Sequence, residues 1–453
     1  MQKNDRLPLS ITGLSHEGNG VGRAEGMAVF VPRTAPGDEI DVKIVGVRGG
    51  HAFGRMEALC KASPVRVDNS CPAFARCGGC ALRHISYPAE LEAKQEWARE
   101  NLARIGKIRP ECEPIIPSPH IERYRNKASY PVRMVEGRVR VGFFAPRSHT
   151  FIPVDDCLLQ PKFFADICRT VCNFCEETGA APYDEARHSG LLRHICIRYG
   201  EATGQTLICL VINGKALPRA QELFGRLTPL CPGEVSFHIS VNRARTNVIL
   251  GPDTSHICGP EFITDVLCGV QVRLSAQSFY QVNREAAQLL YAVALEYASP
   301  APGDTLLDLY CGAGTIGLSM SKHLGKIIGV ESVPQAVRDA RENARINNIS
   351  GAQFLCADAG QAARELRERA AHPDIAVVDP PRKGLCGDTI EHLTGMSPGK
   401  IVYVSCNSAT LARDLAALTD RGYYVLRCRA VDLFPRTAHV ECVALLEKTH
   451  RAN

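Results

Sequence analysis

Two hydrophobic patterns divide the chain. Between residues 8 and 58, apolar and polar positions alternate between glycine-rich turns, and runs such as 27–32 (MAVFVP) and 39–47 (EIDVKIVGV) predict short strands. Several such strands in so short a segment predict a small β-barrel. From about residue 265, apolar strand candidates are separated by segments of helix length, at 305–310, 326–331, 352–357, 374–379 and 400–405. That alternation predicts a doubly wound, mostly parallel α/β sheet with ligands at the carboxyl ends of its strands.

The segment between these regions mixes both kinds of pattern. Strand-like runs (SYPVRM, RVRVGFF and TLICLVI) occur among helical ones between residues 124 and 260, and a helix-like segment runs from Pro88 to Leu102. This mixture predicts an α+β central domain. The 453 residues therefore divide into three predicted domains, 1–60, 61–262 and 263–453, in keeping with about 150 residues per domain.

Composition excludes several classes of protein. A chain with 45% hydrophobic and 22% charged residues is expected to fold rather than remain disordered. It contains no apolar run of about 18 residues, and its start lacks the apolar stretch of a secretory signal. We therefore expect a cytoplasmic protein without a membrane span, whose 20 cysteines are mostly reduced and buried.

The distribution of charge is more informative than its total. The net charge is only +5, but residues 61–140 carry 15 basic and 9 acidic side chains, including Arg123, Arg125, Lys127 and Arg133. Such an excess predicts a local basic surface for a polyanion. A solvated charged face is the alternative interpretation.

A glycine-rich turn follows the first strand of the α/β region. In 308–317 (DLYCGAGTIG), Gly312, Gly314 and Gly317 satisfy the G-x-G-x-x-G pattern, and Glu331 ends the next strand, where it can accept hydrogen bonds from ribose. Dinucleotide enzymes and S-adenosylmethionine enzymes both use such a turn. The segment Asp379-Pro-Pro-Arg at the end of the fourth strand resembles a motif of class I methyltransferases that act on planar nitrogenous groups, and it favours S-adenosylmethionine.

Two residues near the ends of later strands are candidates for catalysis. Cys406, in Ser-Cys-Asn, follows the fifth strand and lies on the predicted ligand-binding edge. A thiolate there could add to an electron-poor carbon. Glu441 enters the final strand pair, where apolar neighbours can tune a carboxylate to act as a base. His439 is the alternative base, and Cys311, inside the glycine-rich turn, is interpreted as a packing residue.

The order of these motifs resembles the RNA 5-methyluridine methyltransferase family. The matching segments are 279–283 (FYQVN), 308–318, 329–331 (GVE), 379–382 (DPPR), 405–411 and 439–441 (HVE). The start, with 11–22, 29–32 and 36–38, resembles the TRAM domain, an RNA-binding barrel. The resemblance implies a Rossmann-like class I methyltransferase domain in which Cys406 adds to uracil C6 and Glu441 removes the C5 proton. It also implies cofactor-pocket positions at Gln281, Tyr310, Thr315, Glu331, Asp358 and Asp379.

Three cysteines lie close together after the barrel. Cys71, Cys77 and Cys80 are separated by five and then two residues, in a turn-rich segment where thiolates can converge on a soft metal. Cys157 resembles the distant fourth cysteine of family members with an iron–sulfur cluster. The resemblance therefore implies a structural [4Fe-4S] cluster, held by these four cysteines, that orders an RNA-binding central domain. Zinc is the alternative metal.

The combined features predict a 23S ribosomal RNA (uracil-C5)-methyltransferase of enzyme class 2.1.1. Its expected cofactors are S-adenosylmethionine and a [4Fe-4S] cluster, and its expected partner is RNA, with no obligate protein partner. Transfer RNA is the alternative substrate. The other hypotheses are a nicotinamide or flavin oxidoreductase and a non-catalytic RNA-binding protein.

Overall fold

The computed structural model describes residues 1–449. The first five strands form a closed barrel in the order β1-β2-β3-β5-β4, and their bounds are β1 (Arg6–Leu14), β2 (Asn19–Ala24), β3 (Met27–Pro32), β4 (Glu39–Arg48) and β5 (His51–Lys61). Alternate side chains point inward, so Leu9, Ile11, Val29 and Val31 are buried. The predicted barrel is confirmed, and closure leaves it without a free strand edge.

A helix and a short strand connect the barrel to the central region. They are α1 (Tyr87–Arg104), with Pro88 in its first turn, and β6 (Glu111–Ile116). Proline is favoured there because the first N–H groups of a helix have no partner within it. Trp97 of α1 donates from Nε1 to the Leu14 carbonyl at 3.0 Å, which joins the helix to the barrel.

The central region is a sheet with helices packed on it. Its elements are β7 (Lys127–Val135), β8 (Arg138–Phe144), β9 (Phe151–Pro153), α2 (Phe163–Thr178), β10 (Leu192–Tyr199), β11 (Thr206–Ile212), α3 (Ala220–Leu227), β12 (Val235–Val241) and β13 (Asp253–Cys258). The seven strands lie in the order β13-β12-β11-β10-β7-β8-β9. Phe164 and Phe174 of α2 and Leu223 of α3 share one core with the apolar strand residues.

The C-terminal region alternates strands and helices. Its elements are β14 (Ile263–Leu267), β15 (Val270–Leu274), α4 (Arg284–Ala298), β16 (Thr305–Leu309), α5 (Thr315–Ser319), β17 (Lys326–Glu331), α6 (Pro334–Ile346), β18 (Ala352–Cys356), α7 (Ala359–Glu368), β19 (Ile375–Val378), α8 (Gly387–Met396), β20 (Lys400–Ser405), α9 (Ser408–Thr419), β21 (Tyr423–Val431) and β22 (Glu441–Lys448). The strands predicted from the five apolar runs are confirmed as β16–β20. β14 and β15 form a separate antiparallel hairpin.

The main sheet has the strand order β18-β17-β16-β19-β20-β22-β21-β6. Strands β16–β20 are parallel to their neighbours within that set, and β22 runs antiparallel to β20 and β21. A hydrophobic core lies on each face of the sheet. The chain passes from β16 outward to β17 and β18 and then returns to β19, so the carboxyl ends of β16 and β19 border the crevice where such sheets bind ligands.

Residues 87–116, which the sequence pattern assigns to the central segment, pack on the C-terminal sheet. β6 pairs in parallel with β21, and α1 packs against α9, with Asn101 Nδ2 donating to Ser408 Oγ at 2.8 Å. Without β6, the edge of β21 would leave backbone N–H and C=O groups unpaired. The pattern of one short strand cannot reveal a partner about 300 residues away, and the three-domain division stays a prediction.

Two of the four residues that suggested a basic surface are paired with carboxylates, whereas Arg125 and Lys127 line one cavity together. Arg123 makes two 2.7 Å bonds to Asp156, and Arg133 is paired with Glu185. Burial lowers the pKa of Lys127 to about 8. Of the four, Arg125 is the one that lines the large cavity described below.

Two expectations from composition can be compared with the structure. All 20 cysteines are free thiols, but only eight are buried, fewer than expected: Cys168, Cys172, Cys175, Cys196, Cys209, Cys311, Cys428 and Cys442. No helix within residues 1–449 is both long and apolar enough to cross a membrane.

Candidate active site

One cavity of about 1950 Å³ opens beside the carboxyl ends of the parallel strands. Residues from the barrel, the cysteine-rich loop and the C-terminal sheet all contribute to its wall. The candidate site residues that line it are Gln281, Tyr310, Glu331, Asp358, Asp379, Cys406 and Glu441. Five of them, Tyr310, Glu331, Asp358, Asp379 and Cys406, end or follow successive parallel strands and therefore share one edge of the sheet. Glu441 reaches the same edge at the start of the antiparallel strand β22, and Gln281 reaches it from the segment before α4.

The glycine-rich turn adopts a conformation that suits glycine. Gly314 has φ +79° and caps α5, and an added Cβ there would lie 3.1 Å from the Phe354 ring. The Glu331 carboxylate accepts hydrogen bonds from Gly312 N at 3.2 Å and from Val333 N at 2.8 Å. These two bonds fix the carboxylate at the end of β17, beside the turn.

Two other predicted cofactor positions play local structural roles as well. Asp358 caps α7 and accepts from Gly360 N at 2.9 Å. Thr315 does not line the cavity, and its hydroxyl lies 2.8 Å from the hydroxyl of Tyr291. The Gln281 side chain lies near enough to Tyr291 to oppose the effect of burial on its pKa. Tyr291 therefore lies between Thr315 and Gln281, which lines the cavity, an arrangement that the sequence does not reveal.

Asp308 is a buried residue of β16 that supports the glycine-rich turn without lining the cavity, and its sequence pattern was not singled out above. Its Oδ2 accepts from Gly317 N at 3.0 Å, whereas its Oδ1 is buried without a hydrogen-bond partner among the described residues. Burial raises the pKa of Asp308 to about 7. A signal was present, since Asp308 is an acidic residue inside an apolar strand directly before the glycine-rich turn.

The two aromatic residues at the start of the FYQVN segment have different environments. Tyr280 is 3% exposed and donates to Asp265 Oδ2 at 3.0 Å, so it belongs to the core. Phe279 is 66% exposed and lines the cavity. Of these two residues, Phe279 is therefore the one that is available to stack on a ligand.

Cys406 lies immediately after β20 among charged groups. Burial raises the pKa of its thiol above the ordinary value, and the carboxylates of Glu441 and Asp379 raise it further. The Arg382 guanidinium opposes them. The structure therefore places the candidate nucleophile beside two carboxylates and one cation.

Glu441 begins β22 and is 6% exposed. Burial, together with the nearby Asp379, raises the pKa of Glu441 to about 8, while Arg382 lowers it. Burial also raises the pKa of Asp379 to about 7. A carboxyl group whose pKa is near neutral can both accept and release a proton at physiological pH.

His439, the alternative base, lines the cavity and faces a cation. Its Nε2 lies 3.3 Å from Arg382 Nη2, and burial of the ring together with Arg382 lowers its pKa. A ring that interacts with a guanidinium gains a proton less readily than an isolated imidazole. Glu441 therefore has the more suitable environment for a base.

The four predicted metal-binding cysteines surround a second cavity of about 460 Å³, which Arg83, Arg125 and Lys127 also line. The thiols of Cys71, Cys77 and Cys80 are near enough to raise the pKa of Cys157, although burial is the main cause of that shift. Within residues 1–449, no three His, Cys, Asp or Glu side chains are close enough to hold a single metal ion.

Comparisons with known proteins match both ends of the chain to described domains and the whole chain to RNA methyltransferases. Residues 2–56 match the TRAM domain, and residues 261–449 match the tRNA (Uracil-5-)-methyltransferase family. An uncharacterized RNA methyltransferase of Halalkalibacterium halodurans is 42% identical over 448 residues, which cover 99% of this chain and 98% of the relative. One from Clostridium tetani is 38% identical over 446 residues, covering 98% and 97%.

A solved structure matches over the same extent. The tRNA (uracil-54, C5)-methyltransferase of Pyrococcus abyssi, in complex with S-adenosyl-L-homocysteine, has a TM-score of 0.79 and 30% identity, and covers 97% of this chain and 100% of its own.

The chain belongs to the RNA uracil-5-methyltransferase family. It is an S-adenosylmethionine-dependent RNA methyltransferase with an N-terminal TRAM domain and a class I methyltransferase domain. The family resemblance of the motifs is thereby confirmed.

Gly314→Ala should weaken cofactor binding by this methyltransferase. A side chain at φ +79° costs about 1–2 kcal/mol, and the Phe354 ring must also move, so we expect about a tenfold loss of affinity for S-adenosylhomocysteine in calorimetry. Gly26→Ala is the matched control, because Gly26 has φ +78° in a barrel turn with open space around it. Unchanged affinity in Gly314→Ala would show that the turn does not shape the cofactor site.

Proposed function

We propose that this protein methylates uracil C5 in 23S ribosomal RNA by transient covalent attachment of the base to Cys406. The observation that supports this chemistry is the group formed by Cys406, Glu441, Asp379 and Arg382 in the same cavity as the glycine-rich turn. Bound S-adenosylmethionine supplies an electrophilic methyl group. The chain itself must activate the pyrimidine and move its protons.

Cys406 performs the activation. Uracil C5 is a poor nucleophile, so the Cys406 thiolate first adds to C6, and the electrons of the C5=C6 bond move toward O4 to form an enolate. Arg382 opposes the effect of the two carboxylates on the thiol and so favours the thiolate. The enolate carbon C5 then forms its new bond to the methyl group, whose bond to the sulfonium sulfur breaks.

Glu441 completes the cycle as the base. After methyl transfer, C5 still carries its hydrogen, and the Glu441 carboxylate accepts that proton. The C–H electrons re-form the C5=C6 bond, and the bond between C6 and sulfur breaks to return the Cys406 thiolate. A base with a pKa of about 8 suits this step, because a general base is most effective when its pKa lies near the working pH.

The remaining candidate residues bind and orient. The residues that would contact the cofactor are Gln281, Tyr310, Glu331, Asp358 and Asp379. Thr315 would support Gln281 indirectly, through Tyr291. Asp379 lines the same cavity as Cys406, and its carboxyl group would also hydrogen-bond the uracil under attack. A base stacked in RNA must first be extruded, at a cost of a few kcal/mol, and the exposed Phe279 ring can stack on it.

Two RNA substrates compete. The TRAM domain and the four-cysteine cavity ahead of the methyltransferase domain favour 23S ribosomal RNA, by the family resemblance described above. Transfer RNA is the second candidate, because the Pyrococcus abyssi enzyme, which matches nearly the whole chain, is a tRNA methyltransferase.

The proposal includes a structural [4Fe-4S] cluster held by Cys71, Cys77, Cys80 and Cys157. What supports it is that these four cysteines line one cavity. The cations Arg83, Arg125 and Lys127 around the cavity suit a negatively charged cluster. Bound there, a [4Fe-4S] cluster would cross-link the cysteine-rich loop to the central region.

Cys406→Ala should abolish tritium release from RNA labelled at uridine C5 while leaving S-adenosylhomocysteine affinity unchanged, because it removes the nucleophile alone. We would assay labelled 23S ribosomal RNA and transfer RNA separately. Release from ribosomal RNA supports the proposal, and release from transfer RNA alone would replace the substrate but keep the chemistry. No release by the wild-type protein from either RNA would contradict the function.

The decay of the covalent adduct should accelerate with increasing pH. Below a pKa of about 8, Glu441 is mostly protonated and cannot accept the C5 proton. We therefore expect single-turnover decay to rise between roughly pH 6 and pH 9 and to level off above the pKa. Glu441→Gln should accumulate the adduct at every pH, and a wild-type rate independent of pH would exclude Glu441 as the titrating base.

Cys77→Ser should remove iron and the visible absorbance of the purified protein and destabilise the central region. The measurements are iron and sulfide content, the visible spectrum and the melting temperature under anaerobic conditions. Cys60→Ser is the control, since Cys60 is an exposed thiol outside the cavity. A colourless wild-type protein that contains zinc would refute the cluster.

A further inference from the structure

The loop from Asp432 to Val440, called here the 432–440 loop, leads directly into Glu441. Phe434, Thr437 and the residues that follow line the large cavity. The other side of the loop carries Asp432 and Arg436, which are buried against α1. The loop therefore has one face toward the active site and one face in a charged interior.

Lys94 of α1 is the centre of that interior. Its side chain is 0% exposed, and its ammonium donates to Glu90 Oε1 at 2.7 Å, to Asp432 Oδ1 at 2.8 Å and to the Phe434 carbonyl at 3.2 Å. An ammonium has three N–H groups, and each of them has an acceptor here. Two of the three acceptors belong to the 432–440 loop.

Arg436 is held in an unfavourable backbone conformation by the same network. Its φ is +69°, in the left-handed region that non-glycine residues rarely adopt. Its backbone N donates to Glu90 Oε1 at 2.7 Å, and its guanidinium donates to the Ile85 carbonyl at 3.0 Å. Glu90 thus binds Lys94 and Arg436 together.

Neighbouring segments bind the remaining polar groups of the loop. The Arg436 carbonyl accepts from Ala81 N at 2.9 Å and from Leu82 N at 3.0 Å, just after the last cysteine of the cysteine-rich loop. Tyr124 donates its hydroxyl to the Pro435 carbonyl at 2.9 Å. Tyr87 donates its hydroxyl to Asp432 Oδ2, also at 2.9 Å.

Buried ion pairs of this kind add little net stability, because desolvation offsets their attraction. They do restrict geometry, since displacing any member leaves a buried charge unpaired. From these contacts we infer that Lys94 is a positioning residue, which holds the 432–440 loop so that the Glu441 carboxylate reaches the C5 proton of the covalent adduct. This inference rests on the proposed function.

The decisive experiment measures adduct decay rather than overall activity. In Lys94→Met, with the loop released, Cys406 still adds to C6 and methyl transfer still occurs. Transfer of the C5 proton to Glu441, with re-formation of C5=C6 and release of sulfur, should be slowed by about 100-fold or more. The readout is an SDS-stable, methylated RNA–protein band, followed over time beside Glu441→Gln, with S-adenosylhomocysteine affinity within a few-fold of wild type.

Arg66→Met provides the matched control. Arg66 makes two 2.7 Å bonds to the buried Asp38 of the barrel, so its removal also strands a carboxylate, and the hydrogen bonds of its side chain go to Asp38 and the Arg33 carbonyl rather than to the 432–440 loop. The Arg66→Met variant should have a lower melting temperature but should not accumulate the adduct. If Lys94→Met does not fold, Asp432→Asn replaces it, because it removes the negative charge that pairs with Lys94 at the start of the loop, and the same band is expected.

Three results would oppose the inference. Adduct decay at the wild-type rate, or loss of methylation without adduct in a variant that binds S-adenosylhomocysteine, would show that Lys94 does not act through Glu441. Adduct accumulation in Arg66→Met as well would make the effect one of general destabilisation. Absence of methylation by the wild-type protein would instead remove the proposed function, and the inference with it.

Discussion

The burial of Lys94 between Glu90 and Asp432 joins three parts of the chain at one point. Glu90 and Lys94 belong to α1, whereas Asp432 begins the loop that leads to Glu441. A buried ammonium must have its hydrogen bonds satisfied, so the helix, the loop and the end of β21 cannot move independently. The packing of α1 on α9 and the pairing of β6 with β21 attach the same segment, residues 87–116, to the C-terminal sheet. The front of the chain is therefore built into the C-terminal sheet.

Three buried carboxyl groups lie in or beside the active site, and few cations act on them. Asp308, Asp379 and Glu441 are carboxyl groups in a buried setting, and burial raises the pKa of each of them into the range of about 7 to 8. Arg382 is the cation that acts on both Glu441 and Cys406. Such groups can exchange protons near neutral pH, whereas solvated carboxylates would stay ionised.

The two cavities are connected through their walls. Cys77, Gly79 and Cys80 line both of them, and Ala81 and Leu82 donate hydrogen bonds to the 432–440 loop. Barrel residues Arg33 and Phe53 line the large cavity as well. The cysteine-rich loop thus lies between the barrel and the methyltransferase core, where order in that loop supports the wall of the active site.

Local pattern accounts for the parallel strands and for part of the site. Hydrophobic periodicity located β16–β20, the glycine spacing located the cofactor turn, and chain order placed Cys406 on the ligand-binding edge, because the carboxyl ends of parallel strands meet there. Glu441 reaches the same edge at the start of an antiparallel strand, β22, which the sequence pattern did not specify. Tertiary contacts account for the rest. They placed Arg123 and Arg133 in ion pairs, joined β6 to β21, and gave Lys94 two acceptors more than 300 residues away in addition to Glu90. Hydrophobic periodicity does not predict such contacts, because packing and the need to compensate buried charge determine which distant residues become partners.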